Sequence, residues 1–461
     1  MTIKRPGPGT LVTVVGLARS GVAAARFLAR LGCHVRVTEK MSAPILFDEA
    51  KQLRGEGIEV ELGAHTPKFI RGSQLVVTSP GVPLTSRPLR WARQWGVPVV
   101  GELELGSWYA QGRLVAVTGS NGKSTVVTLL GEILKAFGTE TIVCGNIGTP
   151  LTSVLGSIRP STVVVLEVSS FQLESSLSFH TEIACLLNMS DNHLDRHGSF
   201  LQYQEAKAKL FSYQRRDSFA VLNADDPVSW SMRRRVRGQL AAFGRTTRPS
   251  SVAAGAYLEG DLLQLSLNGF SGPICRRQEL SRQGAHHEEN ALAAASVAGL
   301  LEVPPQVIGQ VLKSFRGLPH RQEVVATIGG VTFVNDSKST TLASGVKAIQ
   351  AAPGPVILIA GGRDKGSDFR KLAAFKNKLK VAVVIGEDGP KIASALKGAV
   401  RIVKALDLKE AVFAASDMAR PGEWVLLSPM CTSFDMFRDF EERGEKFVEA
   451  VHGLDRAGIG G

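Results

Sequence analysis

Short apolar runs alternate with stretches of helical periodicity along most of this chain, a rhythm that predicts α/β architecture with mainly parallel sheets. Three blocks can be separated. The first opens on a strand at Leu11–Val15, passes through Gly16-Leu17-Ala18-Arg19-Ser20-Gly21, and enters a helix from Val22 to Leu31. A second strand follows at His34–Glu39, and a later run, Leu75–Thr78, leads into Ser79-Pro80-Gly81-Val82. The second block starts with strand Leu114–Thr118, then Gly119-Ser120-Asn121-Gly122-Lys123-Ser124-Thr125, then a helix from about Ser124 to Ala136. Strand Thr162–Leu166 leads to Glu167, and the stretch Ala184–Asn188 leads to Asp191-Asn192-His193. From about Asp226 to Gln283 the pattern turns polar, is dotted with Gly and Pro, and alternates only weakly. A helix from about Glu288 to Leu301 closes the block. The third block begins near Gly317, with strands Val331–Asn335, Pro355–Ala360, Val381–Ile385 and Trp424–Leu427 between helices. The tail from Arg456 to Gly461 is Gly-rich and reads as frayed.

Length agrees with this division, because 461 residues exceed one hydrophobic core and imply two to four domains. The blocks place them at 1–111, 112–316 and 317–461. No apolar run approaches the ~18–20 residues of a membrane span. Lys4 and Arg5 before Leu11–Gly16 imitate a secretory leader, but the run is short and Arg19-Ser20-Gly21 interrupts it. A buried strand followed by a tight turn explains it better. The five cysteines (Cys33, Cys144, Cys185, Cys275, Cys431) are dispersed without a C-x-x-C pair, which predicts reduced thiols and a cytoplasmic compartment. The net charge of +12 is spread out, apart from Arg233-Arg234-Arg235-Val236-Arg237, which reads as a solvated helix face. Nucleic acid is one reading of that charge, and positive clefts for several anionic substrates are another.

The strongest chemical signal is the loop Gly119–Thr125 between a strand and a helix. Glycines let backbone N–H groups turn inward as an anion nest, and the helix start adds its positive dipole end. Lys123 is placed for the terminal phosphates, and Ser124 or Thr125 for a magnesium ion. The common Walker spacing is G-x-x-x-x-G-K, whereas only Ser120 and Asn121 separate Gly119 from Gly122-Lys123. Glu167 ends a strand at the edge where open α/β sheets bind ligands, so it is either a metal carboxylate or an acid near a helix start. Asp191 to His197 is rich in polar groups but lacks the Cys or paired His of a zinc site. In the first block Gly16 and Gly21 enclose a tight turn, yet Ala18 occupies the middle glycine's place, which argues against a nicotinamide dinucleotide. Ser20 is placed to bond a phosphate at the helix start, Glu39 ends the second strand, and Ser79 follows the run Leu75–Thr78.

Read in order, these residues resemble the Mur ligase family. The resemblance spans nearly the whole chain. It rests on the 119–125 loop, Gly145-Asn146-Ile147-Gly148, Glu167-Val168-Ser169-Ser170-Phe171-Gln172-Leu173-Glu174 and Asn192-His193-Leu194-Asp195-Arg196. It continues through Asn223-Ala224-Asp225-Asp226, Gly317-Leu318-Pro319-His320-Arg321, Asn335-Asp336-Ser337-Lys338-Ser339-Thr340 and Gly361-Gly362-Arg363-Asp364-Lys365. It ends with Leu427-Ser428-Pro429 and Ser433-Phe434-Asp435. The Ser-Ser-Phe-Gln-Leu-Glu and Asn-Asp-Ser-Lys runs point to the D-glutamate-adding branch.

The resemblance implies three domains: a Rossmann-like one for the UDP group, a central ATPase-like one, and a C-terminal Rossmann-like one for the amino acid. It implies a monomeric, ATP- and magnesium-dependent ligase joining UDP-N-acetylmuramoyl-L-alanine to D-glutamate through an acyl phosphate, with neither nucleic acid nor membrane as partner. Lys123 then holds the β- and γ-phosphates. Ser124 or Thr125 and Glu167 serve one ion, and His193 the second. Lys207 aligns with the lysine that the family carbamylates, although its surroundings by themselves read as a surface lysine on an amphipathic helix. Asn146 touches the muramoyl substrate. Asn290, Arg321 and Asp336 match adenine, phosphate and ribose contacts. Lys338, Thr340, Lys365, Ser433, Phe434 and Phe440 match positions around D-glutamate. Three positions depart from the pattern: His287 and Thr341 replace expected asparagines, and Lys40 an expected threonine. A sibling ligase for another amino acid and a nucleotide sensor without chemistry are the competing readings; a sensor has no use for the Glu167, His193 and Lys207 constellation.

Overall fold

A computed structural model describes residues 3–191, 194–252, 254–267, 270–282, 284–364 and 366–457. Its three sheets are all mainly parallel. The first contains β1 (Leu11–Val15), β2 (His34–Glu39), β3 (Glu59–Leu62), β4 (Leu75–Thr78) and β5 (Val99–Gly101), in the order β3-β2-β1-β4-β5. The second contains β6 (Arg113–Thr118), β7 (Thr141–Gly145), β8 (Val163–Glu167), β9 (Ile183–Leu186), β10 (Phe219–Asn223), β11 (Gln239–Gly244), β12 (Ala254–Glu259), β13 (Leu262–Leu267) and β14 (Phe270–Arg276). Its order is β14-β13-β12-β11-β10-β9-β6-β8-β7. The third contains β15 (Glu323–Ile328), β16 (Val331–Asn335), β17 (Val356–Gly361), β18 (Leu379–Ile385), β19 (Arg401–Lys404) and β20 (Trp424–Met430), in the order β15-β16-β20-β17-β18-β19. The chain divides into two compact units, Met1–Phe315 with the first two sheets and Arg316–Gly461 with the third.

Burial on both faces explains why the strands read as unbroken apolar runs. β8 and β17 are buried along their whole length. In β6 successive side chains enter opposite cores: Val115 and Val117 pack with the helix Lys123–Ala136, whereas Leu114 and Ala116 pack with Phe179 and Phe211 on the other face. A parallel sheet of this kind sends every strand's carboxyl end to one edge, and the turns there carry most of the residues singled out above.

The differences from expectation lie where periodicity is silent. The first helix begins at Arg19, three residues before Val22, because its first turn is polar. The stretch 226–283 holds four strands. Of these β12, β13 and β14 form an antiparallel meander, with a register shift at Leu263/Gln264 opposite Pro273. Proline is tolerated there because β14 is an edge strand. The arginine cluster is solvated, but on a 3-10 turn (Met232–Arg235) rather than an α-helix. The last helix, Phe440–Ala457, runs past Arg456, and residues 458–461 lie outside those described. All five cysteines are free and buried, and burial pushes the Cys144 and Cys431 thiols up to about 12. Among the described residues no helix is long and apolar enough to cross a membrane.

The short helix Glu102–Ser107 joins the first two sheets through two buried glutamates. Glu102 Oε1 accepts from Thr152 N and Oγ1, both at 2.8 Å, and burial raises its carboxyl above the ordinary range. Glu104 accepts from Leu177 N (2.9 Å), Ser178 N (2.9 Å) and Trp108 Nε1 (3.0 Å). Replacing Glu104 by Ala strands these donors away from water. The expected cost is ~3 kcal/mol, read by urea unfolding of the full chain, and a midpoint equal to wild type would contradict this role.

Candidate active site

The loop after β6 is built from its glycines outward. Gly122 has φ +84°, and a Cβ there would stand 2.4 Å from Asn290 Oδ1, so the loop needs a residue without a side chain. Asn290 lies on the helix Ala285–Leu300, which packs against the helix Lys123–Ala136. Ser120 and Asn121 are clasped from outside. Ser120 Oγ lies 2.9 Å from Tyr203 Oη and donates to Ser190 O at 3.1 Å. Asn188 Oδ1 accepts from Asn121 N at 2.9 Å, and its amide donates back to Asn121 O at 3.3 Å. The helix beginning at Lys123 has no side-chain cap, so its first-turn N–H groups and dipole face the loop. Ser124 is buried and Thr125 half-buried on that first turn.

Two ammonium groups share one carbonyl of this loop. Lys123 Nζ donates to Gly119 O at 2.9 Å and to Ser120 O at 3.2 Å. Lys207 Nζ donates to the same Gly119 O at 3.1 Å and to Thr118 Oγ1 at 2.9 Å. Lys207 is 1% exposed, on the helix Phe200–Ser212, with its nitrogen 4.9 Å from the centre of the Tyr203 ring. Burial pulls its pKa well below the ordinary lysine range; the Lys123 charge lowers it further, and Glu167 opposes the fall. Glu167 closes β8 next to β6, and its Oε1 accepts from Asn146 Nδ2 at 2.7 Å. Its Oε2 is buried and has no hydrogen-bond partner among the described residues. Asn146 N donates to Glu167 O at 2.8 Å, and Gly145 at φ +105° allows that close approach.

Of the segment 191–197, Asn192 and His193 lie outside the described residues. Arg196 and His197 form an anchor. Arg196 donates to the carbonyls of Pro80, Gly81 and Val82, each at 3.1 Å, and to Glu174 Oε2 at 3.3 Å. Its guanidinium also lies 4.7 Å from the Phe171 ring centre. His197 sits between Glu174 Oε1 and Ser170 Oγ, at 2.9 Å from each. Thus the loop after β4 in the first sheet is held to the second.

At the carboxyl edge of the first sheet, a Cβ on Gly21 would stand 1.9 Å from Gly16 O, which makes the turn tight by necessity. Glu39 accepts from Leu17 N (2.9 Å) and Met41 N (2.8 Å), bracing the turn. Ser79 is buried with its hydroxyl 3.3 Å from Gly16 O, so it supports the turn from beneath. Ser20 is half-buried in the first helical turn, and Lys40 is exposed.

In the second unit, β20 lies between β16 and β17, so the loops after all three strands are neighbours. Asp336 accepts from Ser428 Oγ at 3.0 Å and from Gln322 N at 3.2 Å. Burial lifts its carboxyl to about 6, against the pull of those bonds and of Arg321. Lys338 Nζ lies 3.9 Å from the ring centre of Phe440. Ser433 is buried, Thr340 half-buried and Phe434 55% exposed; Lys365 lies outside the described residues. One departure has a local explanation. Thr341 caps the helix Leu342–Ala351 by accepting from Ser344 N. His287 is driven down to about 4 by burial and by His286 and Arg282, and so is neutral near pH 7.

Four contributors carried no readable signal of their own. Thr118, Asn188 and Tyr203 hold the phosphate loop or Lys207, and Arg443 is fully buried in the second unit. Tyr203 stands one helical turn before Lys207, a spacing that would place both on one face if burial were known.

Comparison with known proteins adds three family matches. Residues 10–101 match the Mur ligase MurD-like N-terminal domain, 117–298 the Mur ligase middle domain, and 320–431 the Mur ligase glutamate ligase domain. A UDP-N-acetylmuramoylalanine–D-glutamate ligase of Pelotomaculum thermopropionicum is 43% identical over 448 residues, covering 96% of this chain and 98% of that one. A protein of the same name from Acidobacterium capsulatum is 41% identical over 446 residues, covering 96% of each. The crystal structure of UDP-N-acetylmuramate-alanine ligase from Thermotoga maritima shares the fold, with a TM-score of 0.58 at 18% identity, covering 96% of this chain and 99% of that one.

Gly122→Ala tests the loop directly, because it forces a methyl group onto Asn290 at a left-handed position. Calorimetric titration should show ATP binding weakened about tenfold or more, with the fold retained. Wild-type affinity would mean that the loop does not hold the nucleotide.

Proposed function

The chain belongs to the Mur ligase family, and we propose that it joins D-glutamate to the alanyl carboxylate of UDP-N-acetylmuramoyl-L-alanine, driven by ATP, in peptidoglycan precursor synthesis. The observation that carries this reading is the pair of ammonium groups on Gly119 O beside the Glu167 carboxylate. Lys123 supplies positive charge at a phosphate loop, which serves phosphoryl transfer, and a sensor has no use for the second, buried lysine beside it.

Joining a carboxylate to an amine in water is uphill, and a carboxylate is a poor electrophile. Its oxygen attacks the γ-phosphorus of ATP, giving an acyl phosphate and ADP. The D-glutamate amine then adds to the acyl carbon, and phosphate leaves from the tetrahedral intermediate. No enzyme nucleophile is needed, so catalysis is positioning and charge neutralisation. Lys123 neutralises the β- and γ-phosphates within the nest of residues 119–125. Asn290 contacts adenine, Arg321 a phosphate and Asp336 the ribose. Asn146 orients the muramoyl substrate and, through Nδ2, the Glu167 carboxylate.

One magnesium ion fits the described residues here, and the family resemblance assigns a second. The partnerless buried Oε2 of Glu167 and the hydroxyls of Ser124 and Thr125 suit a hard cation, with His193 and Lys207 assigned to the second. When bound, the ions neutralise charge that develops on the transferred phosphoryl group. Lys207 would hold its ion as a carbamate; burial and the Lys123 charge favour loss of its ammonium proton, and the neutral amine is the form that adds carbon dioxide. Ser20 and Glu39 receive the UDP group, with Ser79 acting through the turn. Lys338, Thr340, Lys365, Ser433, Phe434 and Phe440 receive D-glutamate, whose two carboxylates suit two lysines. The assignments follow three domains, 1–111, 112–316 and 317–461, in a cytoplasmic monomer.

A panel of amino acids with phosphate detection tests the reading. Phosphate release requires both UDP-N-acetylmuramoyl-L-alanine and D-glutamate. Turnover with L-lysine or meso-diaminopimelate on a longer precursor would make the chain a sibling ligase. Lys123→Ala abolishes turnover, and retained activity would remove the loop from the mechanism. The Asp336 carboxyl near 6 adds a pH signature. Lowering pH from about 8 to about 5 protonates the ribose acceptor and raises KM for ATP, and Asp336→Asn flattens that profile. A wild-type KM for ATP that does not change with pH would contradict the role of Asp336.

A further inference from the structure

Arg443 sits one turn into the helix Phe440–Ala457 and is 1% exposed. A guanidinium removed from water normally needs a carboxylate to balance it. Here the hydrogen bonds go to neutral acceptors. Nε donates to Ser337 Oγ at 3.0 Å, Nη2 to Ser337 O at 2.9 Å, and Nη1 to Cys431 O at 3.2 Å. Burial lowers its pKa to about 10, with Cys431 and the Asp435 carboxylate opposing the fall. It remains charged at neutral pH.

Four chain segments meet on this group. Ser337 lies between Asp336 and Lys338 in the loop after β16, and its hydroxyl donates to Phe440 O at 2.8 Å. Cys431 opens the loop after β20 that carries Ser433. Gly362 opens the loop after β17 that runs towards Lys365; a Cβ there would stand 3.3 Å from Arg443 Nη1 and 2.2 Å from Thr432 O. A planar fork with donors on three sides can hold such a junction, and a lysine's single ammonium cannot.

We propose that Arg443 is the positioning residue of the amino-acid subsite, locking the Ser337 and Cys431 loops and the first helical turn together against the Gly362 loop and lending that surface a positive charge suited to a dicarboxylate amino acid. Arg443 is too buried to touch the substrate and acts through Ser337, Cys431 and the Phe440 turn. This inference rests on the assignment of Lys338, Ser433 and Phe440 to D-glutamate.

Steady-state kinetics of Arg443→Lys, Arg443→Met and Lys338→Ala separate the two ideas. Arg443→Lys keeps the charge and loses the fork. It raises KM for D-glutamate about tenfold or more, while KM for ATP and for the UDP substrate stay within about twofold. Arg443→Met raises the D-glutamate KM further; if it does not fold, the Lys variant carries the test, its unchanged ATP and UDP-substrate KM values reporting a folded enzyme. A purely structural role would lower the active fraction and leave every KM alone. An unchanged D-glutamate KM in Arg443→Lys, with a raised one in Lys338→Ala, overturns the inference. An unchanged value in Lys338→Ala overturns the subsite assignment, and the inference falls with it.

Discussion

Two lysine ammonium groups donate to the single carbonyl oxygen of Gly119, and the central site is organised around that crowding. Like charges this close raise each other's energy, and burial adds to the cost for Lys207. A backbone carbonyl, a threonine hydroxyl and the Glu167 carboxylate offset only part of it. The site is therefore complementary to a polyanion before one arrives. A triphosphate neutralises Lys123, and a carbamate on Lys207 would turn the second cation into an anionic ligand. The chain around the lysines is held tightly: Tyr203 and Asn188 clasp the loop, and Gly122 leaves room for Asn290.

The same edge geometry recurs in all three sheets. Parallel strands bring their carboxyl ends to one side, and a glycine-tight turn or a strand-end acid occupies each crevice. In the first sheet Gly16 and Gly21 make the turn and Glu39 braces it. In the second, Glu167 ends the strand beside the phosphate loop. In the third, Asp336, Gly362 and Cys431 follow neighbouring strands, with Arg443 beneath them. Arg196 supplies a further link in the first unit, fixing the Pro80–Val82 loop to the segment before the helix Phe200–Ser212.

Residue patterns alone made the α/β rhythm and the phosphate loop legible, because apolar runs and glycine spacing are local. They missed β11–β14, where small residues such as Ala241, Ala242, Ala254 and Gly255 and the edge Pro273 weaken the strand signal, and they passed over the strands β3, β5, β7, β10, β15 and β19. Lys207 reads as a surface lysine by spacing, since no local pattern shows that its helix turns that face inward. Only the family resemblance identified it. Arg443 was invisible for the same reason: an arginine in a charged helical turn, Phe440-Glu441-Glu442-Arg443, looks solvent-facing until three loops close over it. The Thr341 departure proved local, because threonine caps a helix as asparagine does.

The central claim is that ATP activates the substrate carboxylate by phosphorylating it. Oxygen-18 placed in the alanyl carboxylate follows that step directly, because the attacking oxygen stays with phosphorus when the acyl–oxygen bond breaks. The account predicts one labelled oxygen in each phosphate released during turnover with D-glutamate. Unlabelled phosphate would mean that ATP is hydrolysed without activating the carboxylate, and label in AMP would mean an adenylate; either result would contradict it.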